Sequence, residues 1–171
     1  MFKTEQENFW AGEFGKEYIL RNKDKQLISA NTAFFSKVFS HTSKINSVLE
    51  LGSNIGLNLI AIKHLLQRVN ISAVEINKDA ARELKNNLPE TEIYNTSILE
   101  FQTDIKWDLV FTKGVLIHIN PDSLPKVYKL MHEISSKYIP TLTPNTLESP
   151  LTQHLQIQTC GNCIYIVRYS L

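Results

Sequence analysis

Val48-Leu49-Glu50-Leu51-Gly52-Ser53-Asn54-Ile55-Gly56-Leu57-Asn58-Leu59 decides the fold. An apolar pair runs into an acidic residue, then a short loop bracketed by glycines, then an apolar pattern at helical spacing. This order predicts a strand, a tight turn and a helix start, the unit that brings a backbone loop close to a nucleoside ligand. A second acidic residue, Glu75, closes the next apolar run, Ile71-Ser72-Ala73-Val74, 19 residues after Gly56. One helix and one returning strand fill that distance. An acid in this place accepts hydrogen bonds from a ribose diol; the plainer reading is a solvated acid at a helix start. Taken together, the loop and Glu75 predict an adenine-nucleoside cofactor.

The loop also bears on which cofactor. A dinucleotide site uses G-x-G-x-x-G, whose middle glycine lets the pyrophosphate touch the backbone. Here the loop reads Glu50-x-Gly52-x-Asn54-x-Gly56. Asn tolerates a left-handed backbone better than other non-glycine residues. Asn54 therefore keeps the turn, while its side chain obstructs a phosphate pair. S-adenosylmethionine carries no phosphate. Glu50 is hostile to pyrophosphate but suits the sulfonium and amino group of that cofactor. The pattern resembles the first motif of class I methyltransferases, E/D-x-G-x-G-x-G, with one glycine replaced.

Strands and helices alternate around this unit. Residues 4–20 are polar and aromatic-bearing and predict partial helix. Asn31–Phe39 predicts a helix, with Phe34, Phe35, Val38 and Phe39 on one side. Ser47–Leu51 is the first strand, Leu57–Gln67 a helix and Val69–Glu75 the second strand. Lys78–Asn87 is an amphipathic helix closed by Pro89. Glu92–Asn95 is a short third strand and Trp107–Lys113 a strong fourth. Asn120-Pro121 predicts a helix start, Asn as cap and Pro at the first helical position. The expected fold is α/β, a doubly wound, mostly parallel sheet with helices on both faces, of the Rossmann-like class I methyltransferase kind. In such sheets ligands bind at the carboxyl ends of the strands, where the glycine loop, Glu75 and Thr112-Lys113 all fall.

The chain has 171 residues, 43% hydrophobic, and a formal net charge of +1, enough for one domain with a real core. Near-neutral charge gives no electrostatic case for a nucleic-acid or membrane partner, and no stretch suits a bilayer span. The segment Met1–Glu7 lacks the apolar core of a signal peptide, so the expectation is cytoplasmic. Two cysteines, Cys160 and Cys163, imply no disulfide framework. Their spacing around a predicted turn reads as adjacent strand residues rather than a redox or metal pair, and no metal site is expected.

Four runs carry a more specific resemblance. They are Thr4–Asn22 with its Phe9-Trp10-Ala11-Gly12-Glu13-Phe14-Gly15 core, the Glu50–Leu59 loop, Ala73-Val74-Glu75-Ile76-Asn77, and Phe111–Pro121. Over roughly residues 4–139 the chain resembles the methylases associated with pseudaminic acid biosynthesis, which are class I, S-adenosylmethionine-dependent enzymes. The resemblance implies a small-molecule acceptor in nonulosonic (pseudaminic) acid or surface-sugar biosynthesis. It supplies a pathway and not an acceptor atom, and it leaves the oligomeric state open. The expected division of the chain is an N-terminal helical cap (1–45), a cofactor-binding core (46–139) and an atypical, Pro-containing tail with a hairpin (140–171).

The tail departs from that family. Pro140, Pro144 and Pro150 fall within eleven residues, and Pro donates no ladder bond. The fifth strand is therefore expected to stop at Tyr138-Ile139, with Pro140–Pro150 a surface segment. Alternation resumes in Leu155–Thr159 and Cys163–Val167, and Gly161-Asn162 between them suits a two-residue hairpin. This is either a shortened final hairpin or a change of reading frame near residue 139.

Expected cofactor contacts are Glu50, Gly52, Ser53, Asn54, Gly56, Glu75, Ile76, Ser97, Ile98 and Thr112. Ser97 sits where many class I enzymes place an Asp for the adenine amino group. Trp10, Tyr18 and Arg21 either close over the cofactor, with the guanidinium on its carboxylate, or form a surface helix with an aromatic contact to the core. His118 is a candidate base or a packed residue, and Lys113 is a candidate for a substrate anion. The expected reaction is methyl transfer to an oxygen or nitrogen of a small molecule. Two rival readings are an S-adenosylmethionine-binding protein without catalysis and a nucleotide-dependent oxidoreductase, the latter disfavoured by Asn54.

Overall fold

The computed structural model describes residues 4–21, 25–142, 154–160 and 163–169. The strands are β1 (Ser47–Leu51), β2 (Asn70–Val74), β3 (Glu92–Tyr94), β4 (Trp107–Lys113), β5 (Ser135–Leu142), β6 (His154–Cys160) and β7 (Cys163–Tyr169). They form one sheet in the order β3-β2-β1-β4-β5-β7-β6. Neighbours are parallel except for the antiparallel pair β6–β7. The chain order runs outward from β1 to β3 on one side and from β4 to β5 on the other. The topological switch point thus lies between β1 and β4, where a crevice opens at the carboxyl ends of the strands.

Six helices complete the described fold: α1 (Glu5–Ala11), α2 (Glu13–Arg21), α3 (Lys25–Phe39), α4 (Leu57–Leu65), α5 (Lys78–Asn87) and α6 (Leu124–Ile134). Strand alternation sorts the core into two layers. Val48, Ile71, Ala73, Leu109 and Phe111 face Phe35 and Val38 of α3, Leu59 and Ile62 of α4, and Leu84 of α5. Leu49, Leu51, Val74 and Val110 face the other way, onto Val127, Met131 and Ile134 of α6. Helices therefore cover both faces of a doubly wound, mostly parallel sheet. Among the described residues no helix is long and apolar enough to cross a membrane.

Two expectations need correction. β5 does not stop at Ile139: it runs through a buried Pro140 to Leu142. Pro140 lies opposite Ile166 of β7, while Thr141 and Leu142 lie opposite Thr112 and Lys113 of β4. A proline removes one donor from the ladder, and its neighbours keep theirs, so one missing bond does not end a strand held on both sides. The remainder of the Pro-rich stretch, 143–150, lies outside the described residues. The predicted hairpin flanks are present, with Cys160 opposite Cys163 and His154 opposite Tyr169; Gly161 and Asn162 themselves lie outside the described residues. The second correction is at Asn120. Its side chain accepts from Asp122 N at 3.0 Å, but the turn it caps is a single 3-10 turn, Pro121–Ser123, and α6 begins at Leu124. Pro125 sits in the first turn of α6, where no intrahelical donor is lost.

Candidate functional site

The loop after β1 has the backbone its residues predict. Gly52, Asn54 and Gly56 all have positive φ, at 78°, 48° and 83°. Gly52 N and Ser53 N donate to Val74 O of β2 at 2.8 and 3.2 Å. Ser53 Oγ donates back to Glu50 O at 3.0 Å. Gly56 then caps α4 through its backbone alone. The loop is thereby tied to the carboxyl ends of two strands.

Glu75 follows β2 and is buried. Its Oε2 accepts from Asn54 N at 2.6 Å and its Oε1 from Asn77 N at 2.8 Å. Burial pushes its carboxyl above the ordinary range, and those backbone donors oppose the shift. A carboxylate held on both oxygens has a fixed orientation, and each oxygen keeps a lone pair for a ligand.

Glu50 is fully buried beneath the loop. Asn58 Nδ2 donates to its Oε1 at 2.6 Å. Among the described residues its Oε2 has no hydrogen-bond partner, and neither does Asn58 Oδ1. Burial pushes the Glu50 carboxyl up from 4.5 to about 8, against the lowering effects of Asn58 and the nearby Lys113. The folded state binds this proton more tightly than the unfolded chain does. Stability therefore falls as pH rises between about 4.5 and about 8. Glu50→Gln is expected to flatten that slope and to stabilise the ligand-free protein by roughly 1–3 kcal/mol at pH 8. Thermal unfolding against pH measures it; an unchanged slope would mean that Glu50 ionises as freely as in the unfolded chain.

The helices α1 and α2 cover the crevice. Thr4 and Glu7 form a capping box at the start of α1. The Glu7 carboxylate also accepts a short hydrogen bond from Ser97 Oγ, beyond β3. Asn77, the cap of α5, donates to Trp10 O at 3.0 Å. Trp10 meets Phe14 and Tyr18 edge-on at 5.2 and 5.1 Å, and its ring lies 4.7 Å from that of His118. Gly15 permits this docking, since a Cβ there would stand 2.1 Å from Trp10 O and 2.6 Å from Asn77 Nδ2. Gly15→Ala is expected to cost about 1–3 kcal/mol through this overlap, read as a lower unfolding temperature. An unchanged temperature would show that α2 can shift freely against α5.

Between the cover and the strand ends lies a cavity of about 370 Å³. Of the residues predicted from sequence, Gly52, Ser53, Asn54, Glu75 and Ile76 line it, as do Ser97, Ile98, Trp10 and Tyr18. Lys113 and His118 also line it. Gly56, Thr112 and Glu50 lie behind that lining, the last two fully buried. Arg21 is not brought to the cavity: its guanidinium lies over the Phe14 ring, 5.3 Å from the centroid, and 3.8 Å from Glu17. Glu7, Asn31, Asn58 and Val115 line the cavity and were not singled out from sequence. Among the described residues no group of three or more His, Cys, Asp or Glu side chains is arranged to hold a metal ion.

No protein-family model matches the sequence, and no curated protein does. Solved structures do match in fold. An amino pentose methyltransferase from Micromonospora echinaspora, with S-adenosylmethionine bound, superposes with a TM-score of 0.62 at 11% identity, over 85% of this chain and 61% of that one. The magnesium protoporphyrin IX methyltransferase of Synechocystis, also with bound S-adenosylmethionine, gives 0.61 at 10% identity, over 79% and 74%. The plantazolicin methyltransferase in complex with S-adenosylhomocysteine gives 0.59 at 16% identity, over 77% and 53%. The chain thus spans about half the length of that last enzyme.

Proposed function

We infer that this chain binds S-adenosylmethionine in the cavity over the Gly52–Gly56 loop and transfers its methyl group to a small molecule. The observation that carries this reading is Glu75: a buried acid at the end of β2, oriented by two backbone donors and lining the cavity beside the loop. That is the place and the chemistry for a ribose diol. Asn54 in its left-handed turn and buried Glu50 both disfavour a pyrophosphate, which argues against a dinucleotide. The fold neighbours that hold this cofactor support the same choice. The sequence resemblance adds a nonulosonic acid or surface-sugar intermediate as the acceptor.

S-adenosylmethionine, when bound, supplies a methyl group already activated by its sulfonium. The residues of the chain bind, orient and exclude water. Trp10 and Tyr18 roof the cavity, and Ile76 and Ile98 give it apolar walls. An amine or carboxylate acceptor needs no base. For a hydroxyl acceptor, His118 is the candidate: burial holds its imidazole below the ordinary range, so it is neutral and able to accept a proton at pH 7. With such an acceptor, His118→Asn is expected to lower kcat by about 10²–10⁴ and to leave S-adenosylhomocysteine affinity unchanged. An undiminished kcat would reduce His118 to a packing partner of Trp10.

The acceptor reading is tested by screening sugar-nucleotide and nonulosonic acid intermediates for cofactor-dependent formation of S-adenosylhomocysteine. A methylated product formed in equal amount is the expected result. Cofactor binding with no turnover on any of them would favour a binding protein without catalysis.

A further inference from the structure

Asn77 is buried, and both ends of its side-chain amide are engaged. Its Oδ1 accepts from Asp79 N at 3.0 Å and from Ala80 N at 3.1 Å, which caps the start of α5. Those two bonds fix which end of the amide is oxygen. The Nδ2 therefore faces α1, donating to Trp10 O at 3.0 Å and to Gly12 O at 3.4 Å. Trp10 is in the last turn of α1 and Gly12 is its C-cap. Carbonyls at a helix end have no intrahelical donor. One side chain thus closes the start of one helix and the end of another.

The double task needs Asn. Ser, Thr and Asp cap a helix as well, but ionised Asp has no donor, and a hydroxyl is shorter and carries one hydrogen. The two ends of this tie lead to different parts of the cavity. On one side, Asn77 N donates to Glu75 Oε1 at 2.8 Å. On the other, Trp10, whose carbonyl is held, lays its ring 4.7 Å from that of His118. The start of α1 is fixed separately, through Glu7 and Ser97. A helix of seven residues has little stability of its own, so the place of Trp10 depends on what holds the end of α1.

We propose that Asn77 is a positioning residue: by holding the end of α1 it sets Trp10 against His118 and keeps water off that imidazole. The catalytic meaning rests on the reading of His118 as the base for a hydroxyl acceptor. Glu7 of α1, Glu75 after β2 and Lys113 of β4 are charged groups lining the same cavity. The downward shift of His118 comes from burial and not from any of them. Loosening the cover therefore changes the imidazole through solvent access.

The test is NMR titration of the histidines and acrylamide quenching of tryptophan, both on the full, ligand-free chain. His118→Asn identifies the His118 signal, and Trp107, 3% exposed, adds little to the quenching. Asn77→Ser keeps a cap on α5 and removes the tie to α1. It is expected to raise the His118 pKa toward the ordinary imidazole range and to increase quenching of Trp10 by about twofold or more. Gly15→Ala disturbs the same contact from α2, where a Cβ would stand 2.6 Å from Asn77 Nδ2, and should move both readouts the same way. Trp10→Ala should raise the His118 pKa with Asn77 intact. A lower unfolding temperature in Asn77→Ser, with the His118 titration of the folded variant unchanged, overturns the proposal in favour of a structural role. A His118 shift in Asn77→Ser that Trp10→Ala does not reproduce overturns the route through Trp10. Should Asn77→Ser fail to fold, Gly15→Ala and Trp10→Ala decide by the same readouts. If wild type fails to bind S-adenosylhomocysteine, the cofactor reading fails, while the titration still decides what Asn77 does.

Discussion

Gly52→Val is expected to abolish S-adenosylhomocysteine binding. Gly52 sits at φ 78°, a region that costs non-glycine residues about 1–2 kcal/mol and β-branched ones more. A Cβ at this position would lie 2.6 Å from Val115 Cγ2 and 3.2 Å from its Cγ1. Val115 follows Gly114 on the segment leaving β4 and opens the 3-10 turn Leu116–His118. Relief of the overlap must therefore move either that segment or the loop, and both line the cavity. Gly52→Ala paired with Val115→Ala separates the two causes. It removes the clash and keeps the backbone strain, so part of the affinity should return. Near wild-type binding by Gly52→Val would mean that the loop does not cradle the ligand.

Glu75→Ala is expected to weaken S-adenosylhomocysteine binding by about 1.5–3 kcal/mol, through loss of charge-assisted hydrogen bonds. The structure adds a second consequence. The carboxylate also accepts from Asn54 N and Asn77 N, so its removal leaves two loop donors unsatisfied and should lower the unfolding temperature. Glu75→Gln separates the roles, because its carbonyl keeps one backbone bond while the charge is lost. If Glu75 meets the ribose, wild type discriminates against the 2′-deoxy form of the ligand, and Glu75→Gln narrows that discrimination. Unchanged affinity in a folded Glu75→Ala variant would remove this residue from the site.

The fold was legible because local pattern and tertiary demand agree for most of it. Val48, Leu49 and Leu51 alternate between two core layers, and Leu59 and Ile62 recur at helical spacing toward one of them. The end of β5 was misread because proline is scored by the bond it lacks. Pro140 lies between two neighbouring strands, and what decides its place is pairing on both sides, which no local pattern records.

The site divides along the same line. Gly52, Asn54 and Glu75 announce themselves through backbone chemistry and strand-end position. Glu7, Asn31 and Asn58 are single polar residues on helices, and such residues usually face solvent. Only packing turns them inward. Glu7 carried a readable local signal, the capping box with Thr4, but nothing in it indicates the bond to Ser97, 90 residues away. Arg21 misled in the opposite sense. Its chemistry suits a carboxylate, while its position on the exposed side of α2 directs it to Phe14 and Glu17.

Calorimetric titration of the full chain with S-adenosylhomocysteine, and in parallel with NAD, tests the central claim most directly. One-to-one binding of S-adenosylhomocysteine, with NAD failing to compete, is the predicted result. Tighter binding of NAD, or no binding of S-adenosylhomocysteine by the folded protein, would contradict it.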